Sequence, residues 1–489
     1  MKSLKSLLRG VACTDFVGPE EQSVNHLVYD SRQVAAGDCF FAVVGSASDG
    51  HDYIPKAIEA GARTVVCQHL PQRLDPQVSY VVVAETNAAM AEIASNYYEN
   101  PSRELKLVGV TGTNGKTTTA TLLADLFQRL GYRTGLISTV VYRVGDKQIP
   151  STHTTPDTLR LNALLREMVD AGCDYCFMEV SSHAIAQHRV AGLHFAGGLF
   201  TNLTHDHLDY HKTFAEYLRV KKSFFDTLPK EAFALVNIDD KNGRVMVQNT
   251  RARVQTLSLQ SPADFRCKII EMQLDGMLLQ IDGREVWLRQ LGRFNAYNLL
   301  TIYSTALLLG AEREEVLRLM STLDSVSGRF ETIHAADGTV AIVDYAHTPD
   351  ALENVIRTIE EIRRPEQQLI VLCGCGGDRD RTKRPEMAQI AVKYASLAIF
   401  TSDNPRSESP EAILDDMVEG LDPAARYLRI AHRGEAIRTA ALMAKAGDII
   451  LLAGKGHETY QIIGTESHHF DDKEEISVCL QTLHHSTRR

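Results

Sequence analysis

Lys116 and Thr117 close the loop in VGVTGTNGKTTT, residues 108–119, and their side chains have the chemistry to hold a phosphate and a divalent cation. Gly112 and Gly115 let backbone N–H groups approach anionic oxygens, the lysine adds a point charge, and the threonine hydroxyl can reach Mg²⁺. Val110 stands where the first glycine of the GxxxxGK[ST] pattern would fall. TGTNGKTT still makes a nucleotide phosphate site the expectation, on Gly112, Thr113, Asn114, Gly115, Lys116, Thr117 and Thr118. Glu179 ends the apolar run DYCFMEV, and a carboxylate at a strand's end is positioned as a Mg²⁺ ligand; a solvated glutamate is the bland alternative. THDHLDYH, residues 204–211, brings Asp206, His207, Asp209 and His211 together, which suggests metal or anion binding, or else a polar loop. YLRVKKSFF places Lys221 and Lys222 on a helix-like stretch. A lysine beside a metal site is odd for a simple cation, because like charges repel.

Strands and helices must deliver these groups. The apolar run LKLVGV precedes the loop and TATLLADLFQRL follows it as a helix, whose positive dipole end faces the same anion. β-rich runs alternate with helical patterns nearly throughout, so the expected fold class is α/β with mostly parallel sheets. Three blocks are expected, 1–103, 104–328 and 329–489. The first carries TVVCQ and SYVVVAE. The second carries DYCFMEV and GGLFTNL, with polar residues at or past their carboxyl ends, the edge where ligands bind in open α/β sheets. The third carries TVAIVDYA, LIVLCGC, LAIFTSD and DIILLAGKG. There Arg379, Asp403, Asn404, Arg406, Gly454 and Glu458 follow three strand ends, where polar loops alone would explain any one of them.

At 489 residues the chain is too long for one core. A hydrophobic share of 44% with 23% charged residues is a soluble globular balance. Net charge −10 and a pI near 6.0 weigh against a nucleic-acid partner. MKSLKSLLRGVACTDF lacks a sustained apolar core and reads as mature protein, and no run is long enough to span a bilayer. The nine scattered cysteines form no disulfide framework, and the Cys373–Cys375 pair lacks a partner pair at zinc spacing. A cytoplasmic enzyme is expected.

TGTNGKTT, MEVSSHAIAQHR, THDHLDYH and YLRVKKSFF, in this order, closely resemble the Mur ligases, ATP-dependent amide-forming enzymes of peptidoglycan precursor synthesis. The resemblance covers nearly the whole chain. It implies a UDP-binding α/β domain, a central phosphate-loop ATPase domain and a Rossmann-like third domain. ATP would meet the phosphate loop, Asn295 and Asn298 in GRFNAYN, Arg329, and Asp344 in VDYAHTPDALE as the ribose contact. Two Mg²⁺ ions are implied, held by Thr117, Glu179, His207 and Lys221. In this family the matching lysine is carbamylated by CO₂, which turns a cation into a carboxylate and removes the oddity. Ser31 in DSRQVAAGD, with Thr154, Thr155, Ser181, Gln187 and Arg189, would contact the UDP-sugar peptide. GSASDGHDY should add contacts, but Ser46, Ala47 and Ser48 are bland there.

The run Asp403 to Arg406, DNPR, resembles the signature of the Mur ligases that add meso-diaminopimelate to UDP-N-acetylmuramoyl-L-alanyl-D-glutamate. Arg406 and Arg379 would grip the far carboxylate, while Glu458 and Asp403 take the ammonium. Lysine lacks that carboxylate and would leave Arg406 buried and unpaired, at a cost of about 2–5 kcal/mol. The implied route runs through an acyl phosphate, so water must be excluded, with the third block closing about a hinge near Gly328. A monomer acting on small molecules is expected. Two readings stay open beside this one: a folylpolyglutamate synthetase-like amide ligase, and a phosphate-loop ATPase or switch that forms no amide.

Overall fold

The computed structural model describes residues 1–45, 48–204 and 208–486, and sheets and helices below are those of the described residues. Three sheets organise the chain. In the first block Thr64–Cys67 pairs in parallel with Cys39–Phe41 and Ser79–Val83, while Cys13–Val17 lies antiparallel on Ser79–Val83. The central sheet runs to eleven strands, and its middle is parallel, with Lys106–Thr111 between Tyr175–Glu179 and Phe195–Phe200. The third sheet has six strands, ordered Glu331–His334, Val340–Asp344, Ile449–Ala453, Leu369–Cys373, Leu397–Phe400 and Tyr427–Arg429.

The central sheet is mostly parallel, as expected, and its flanks are antiparallel. Val141–Val144 and Lys147–Pro150 form a hairpin at one edge, and Phe265–Gln273, Gly276–Ile281 and Arg284–Leu288 form a meander at the other. Asp282 and Gly283 both have positive φ, 45° and 84°, as a two-residue hairpin turn demands. That Asp-Gly pair was the available sequence signal.

Alternation along the central strands assigns each side chain to a layer. Tyr175 and Phe177 join Val108 and Val110 under the helices Lys116–Arg129 and Arg293–Leu308. Cys176 and Met178 join Leu107 on the opposite face, under Thr158–Asp170 and Phe214–Asp226. The latter helix lies unusually close to the sheet. A Cβ on Gly109 would fall 2.7 Å from Phe224 Cζ, and one on Gly198 would fall 3.0 Å from Phe224 Cε1, so two glycines make room for one ring. No helix among the described residues is long and apolar enough to cross a membrane.

Candidate active site

The helix Phe214–Asp226 starts at an N-cap, with Thr213 Oγ1 accepting from the N–H of Glu216. Its buried stripe is Tyr217, Val220, Lys221, Phe224 and Phe225, the spacing of one helix face. Lys221 therefore points inward and Lys222 does not. Lys221 is buried, and its Nζ donates to the Gly112 carbonyl at 2.8 Å. Lys222 pairs with Asp226 at 2.8 Å. The phosphate loop lies on the other side of that carbonyl, where Lys116 Nζ donates to Gly112 O at 3.0 Å and Thr113 O at 2.8 Å. Residues after the strand Phe195–Phe200 brace the loop. Asn202 Oδ1 accepts from Asn114 N at 2.9 Å, and Thr201 Oγ1 donates to Asn114 O at 2.6 Å.

Glu179 is buried at the end of its strand, and the Thr139 N–H donates to its Oε1 at 2.7 Å. Thr139 also bonds the Thr154 hydroxyl at 3.0 Å. Thr155 Oγ1 donates to the Glu179 carbonyl at 2.8 Å and lies 3.4 Å from Ser181 Oγ. Arg189 donates to Thr155 O at 2.8 Å and to Gln187 Oε1 at 2.6 Å. These residues thus form one connected surface beside Glu179. Tyr29, two residues before Ser31, lies within electrostatic reach of Asp157 and Arg189; burial, then Asp157, pushes its phenol pKa up.

A cavity of ≈ 780 Å³ opens from the phosphate loop between the second and third blocks. Asn114, Gly115, Thr118, Asn298, Arg329, Asp344 and Tyr345 line it, with Asp239 and Asn354. Asn295 stands behind: it donates to Leu291 O at 2.8 Å and accepts from Asn298 Nδ2 at 3.0 Å, which orients Asn298 toward the loop. Asp344 does more than line the cavity, since its two oxygens accept from Phe330 N at 2.7 Å and Ala346 N at 2.8 Å. Two contacts tie the third block to the loop: Arg329 Nη2 donates to Thr117 Oγ1 at 3.1 Å, and Asn114 Nδ2 donates to Asp350 at 3.1 Å. The Arg329 guanidinium stacks 4.6 Å from the Tyr345 ring, and His457 packs on the same ring at 5.0 Å. Burial and Arg329 push the His457 pKa down to about 3, so it is neutral.

In the third block, the parallel pairing of Ile449–Ala453, Leu369–Cys373 and Leu397–Phe400 sends three polar loops off one edge. A Cβ on Gly376 would lie 2.9 Å from Arg406 Nη1 and 3.8 Å from Arg379 Cγ, so both arginines flank that glycine. Gly454 faces Asp403 Oδ2 at 3.4 Å by the same measure, and Asn404 Nδ2 donates to Glu458 Oε2 at 2.8 Å. Asp403, Asn404, Arg406, Gly454 and Glu458 meet here, while Arg379 is exposed and turns its guanidinium to the Asp378 carbonyl at 3.2 Å. Arg406 holds a left-handed backbone, φ 52°, fixed by bonds from its N–H to Ile462 O at 3.1 Å and from Gly464 N to its carbonyl at 2.8 Å. Arg384 is fully buried and braces the loop through Glu408 at 2.8 Å and Asp416 at 2.6 Å.

Family models covering residues 23–104, 110–306 and 328–456 match the chain as Mur ligase family catalytic domain, Mur ligase middle domain, and Mur ligase, glutamate ligase domain. The chain is a Mur ligase. Phocaeicola vulgatus has a relative named UDP-N-acetylmuramoyl-L-alanyl-D-glutamate--2,6-diaminopimelate ligase, 54% identical over 96% of this chain and 98% of its own. The protein of the same name from Cytophaga hutchinsonii is 52% identical over 98% of this chain and 99% of its own. A solved structure of a ligase of that name superposes with a TM-score of 0.69 at 31% identity, covering 95% of this chain and 96% of the other.

In this Mur ligase two sequence expectations need correction. Arg406 is only partly buried and already donates to Gly377 O at 2.8 Å, so a missing substrate carboxylate would not strand a buried guanidinium. Asp403 and Glu458 are not free anions either, because Lys455 lies between them with its Nζ 3.8 Å and 3.1 Å away. Sequence reasoning missed Lys455, Asn202, Asp350 and Arg384. The Lys-Gly-His-Glu run was the one clue to the first. Asp206 and His207, and Ser46 and Ala47, lie outside the described residues, so the expected metal role of His207 has no geometry here. Among the described residues no three His, Cys, Asp or Glu side chains form a metal cluster. The hard oxygen donors present, the buried Glu179 carboxylate and the Thr117 hydroxyl, do suit Mg²⁺.

Proposed function

We propose that this Mur ligase joins meso-2,6-diaminopimelate to UDP-N-acetylmuramoyl-L-alanyl-D-glutamate, with ATP cleaved to ADP and phosphate, in peptidoglycan precursor synthesis. The observation that carries the amino-acid assignment is the charged cradle of the third block, where Arg406 and Arg379 flank Gly376 and Asp403 and Glu458 flank Lys455. A head group with an ammonium and a carboxylate on one carbon matches that layout. The 54% identical relative bears the name of this reaction.

A carboxylate is a poor electrophile because its leaving group would be oxide. The γ-phosphoryl group passes to the side-chain carboxylate of the D-glutamate, giving an acyl phosphate. The diaminopimelate amine then attacks the acyl carbon, and phosphate leaves through a tetrahedral intermediate. Charge neutralisation and positioning carry most of the rate. Lys116 and the N–H groups of residues 112–118 hold the β- and γ-phosphates, Asn298 steadies Gly115, and Arg329 and Asp344 flank the nucleotide from the third block. Ser31, Thr154, Thr155, Ser181, Gln187 and Arg189 hold the UDP-sugar peptide, beside Glu179 where its carboxylate must arrive. Thr117, Glu179, His207 and an N6-carboxylated Lys221 would hold two Mg²⁺ ions in this reading. When bound, they neutralise phosphate oxygens. The working unit is a monomer in the bacterial cytoplasm, divided near residues 103 and 328.

Phosphate release from ATP, measured with and without each co-substrate, tests the assignment. Strict dependence on both diaminopimelate and the UDP-muramoyl dipeptide, with one joined product, is expected. Release with neither would indicate a switch or plain ATPase. Ligation of glutamate to a folate would indicate the folylpolyglutamate reaction instead.

A further inference from the structure

Lys455 is the least expected charge in the third block. Its side chain is fully buried, and its Nζ lies 3.1 Å from Glu458 Oε2, 3.8 Å from Asp403 Oδ1 and 3.5 Å from Asn404 Oδ1, and donates to the Tyr460 carbonyl. The Tyr460 ring sits 5.6 Å from the ammonium. An ammonium this deep persists only where carboxylates pair with it. Asn404 completes the lattice, since its Oδ1 also accepts from Ile462 N at 3.0 Å while its Nδ2 holds Glu458. Asp403 Oδ1 is buried with no hydrogen-bond donor among the described residues.

We infer that Lys455 is a specificity-determining residue, setting the charge of the amino-acid cradle so that it accepts a zwitterionic head and refuses a bare ammonium. The inference rests on the amino-acid reading above. With Lys455 present, three cations, Lys455, Arg406 and the exposed Arg379, already match the three carboxylates Asp403, Glu458 and Asp378, the last beside Arg406. A head with one ammonium and one carboxylate leaves that balance unchanged. A lone side-chain ammonium, as on lysine, adds a fourth cation with no anion for the arginines. Selection then comes from repulsion, which the partial solvation of Arg406 alone would not supply.

The test compares kcat/KM for diaminopimelate and for L-lysine in the parent enzyme, Lys455→Met, Lys455→Gln and Lys455→Arg, with ATP and the UDP-muramoyl dipeptide saturating. Loss of the charge should shrink the diaminopimelate-to-lysine ratio by about tenfold or more, while Lys455→Arg keeps it within about twofold. Lys455→Gln retains a donor for Tyr460 O and Glu458, and carries the test if Lys455→Met does not fold. A lysine with a purely structural part would lower both efficiencies together. An unchanged ratio in either folded variant, or failure of both to fold, overturns the inference. If the parent enzyme itself does not ligate diaminopimelate, the underlying amino-acid reading fails instead, which is a different result.

Discussion

Lys221 and Lys222 are chemically identical neighbours with opposite fates, and the helix period alone separates them. Lys221 shares a stripe with Tyr217, Val220, Phe224 and Phe225, and it is driven against the Gly112 carbonyl. The resemblance to the Mur ligases singled out Lys221; the carbonyl that receives it was not legible, because it belongs to a loop some hundred residues earlier. Lys221→Ala should lower kcat by roughly 10²–10³, the usual loss when a charge-organising group is removed. A small added carboxylic acid should restore part of it in a steady-state assay, and full activity without addition would end the carbamate reading. Asp344 makes a second prediction at this scale. Burial pushes its carboxyl pKa from 3.8 to about 6, against the opposing pull of Arg329. The folded chain therefore binds this proton more tightly than the unfolded chain does. Its contribution to stability is fully present below pH 4, is lost as pH rises toward 6, and is level above. Urea denaturation of Asp344→Asn between pH 4 and 6.5 should have a shallower pH slope than the parent, and equal slopes would refute the assignment.

A ring and two missing methyl groups fix how near one helix comes to the central sheet. Phe224 lies over Gly109 and Gly198, and the helix Phe214–Asp226 carries Lys221 to the loop at that height. Gly109→Val should destabilise the fold by about 1–3 kcal/mol through overpacking. It should also depress kcat more than the KM for ATP, because Lys221 retreats while the loop stays. Chemical denaturation with parallel kinetics checks both, and a variant of parental stability would dismiss the clearance argument. Parallel strands and their helices were readable because apolar runs and helical periods are strong local patterns. The hairpin Tyr460–Ile463 with Glu466–His469 was not read, since its burial alternates weakly and its task is distant. It fastens Asn404 and Arg406 from outside their own loop, through Ile462. Lys455 was missed although the Lys-Gly-His-Glu run holds it, because a run of polar residues does not show which of them is buried.

The second and third blocks meet where Arg329 touches Thr117 and Asn114 touches Asp350, so the nucleotide cavity has walls from two blocks at once. Small-angle scattering with a non-hydrolysable ATP analogue and the UDP-muramoyl dipeptide should give a smaller radius of gyration than the free enzyme. No compaction would sink the closure expected from the lability of an acyl phosphate. Gly328, at φ 65°, is the connection about which such movement would turn, and a Cβ there would lie 2.0 Å from His457 N and 2.2 Å from Gly456 C. The pivot is therefore seated on the segment that carries Lys455 and Glu458. A swing about Gly328, were it to grip the nucleotide, would also reshape the chamber awaiting the incoming amine, so the two ends of the reaction would share a single moving part.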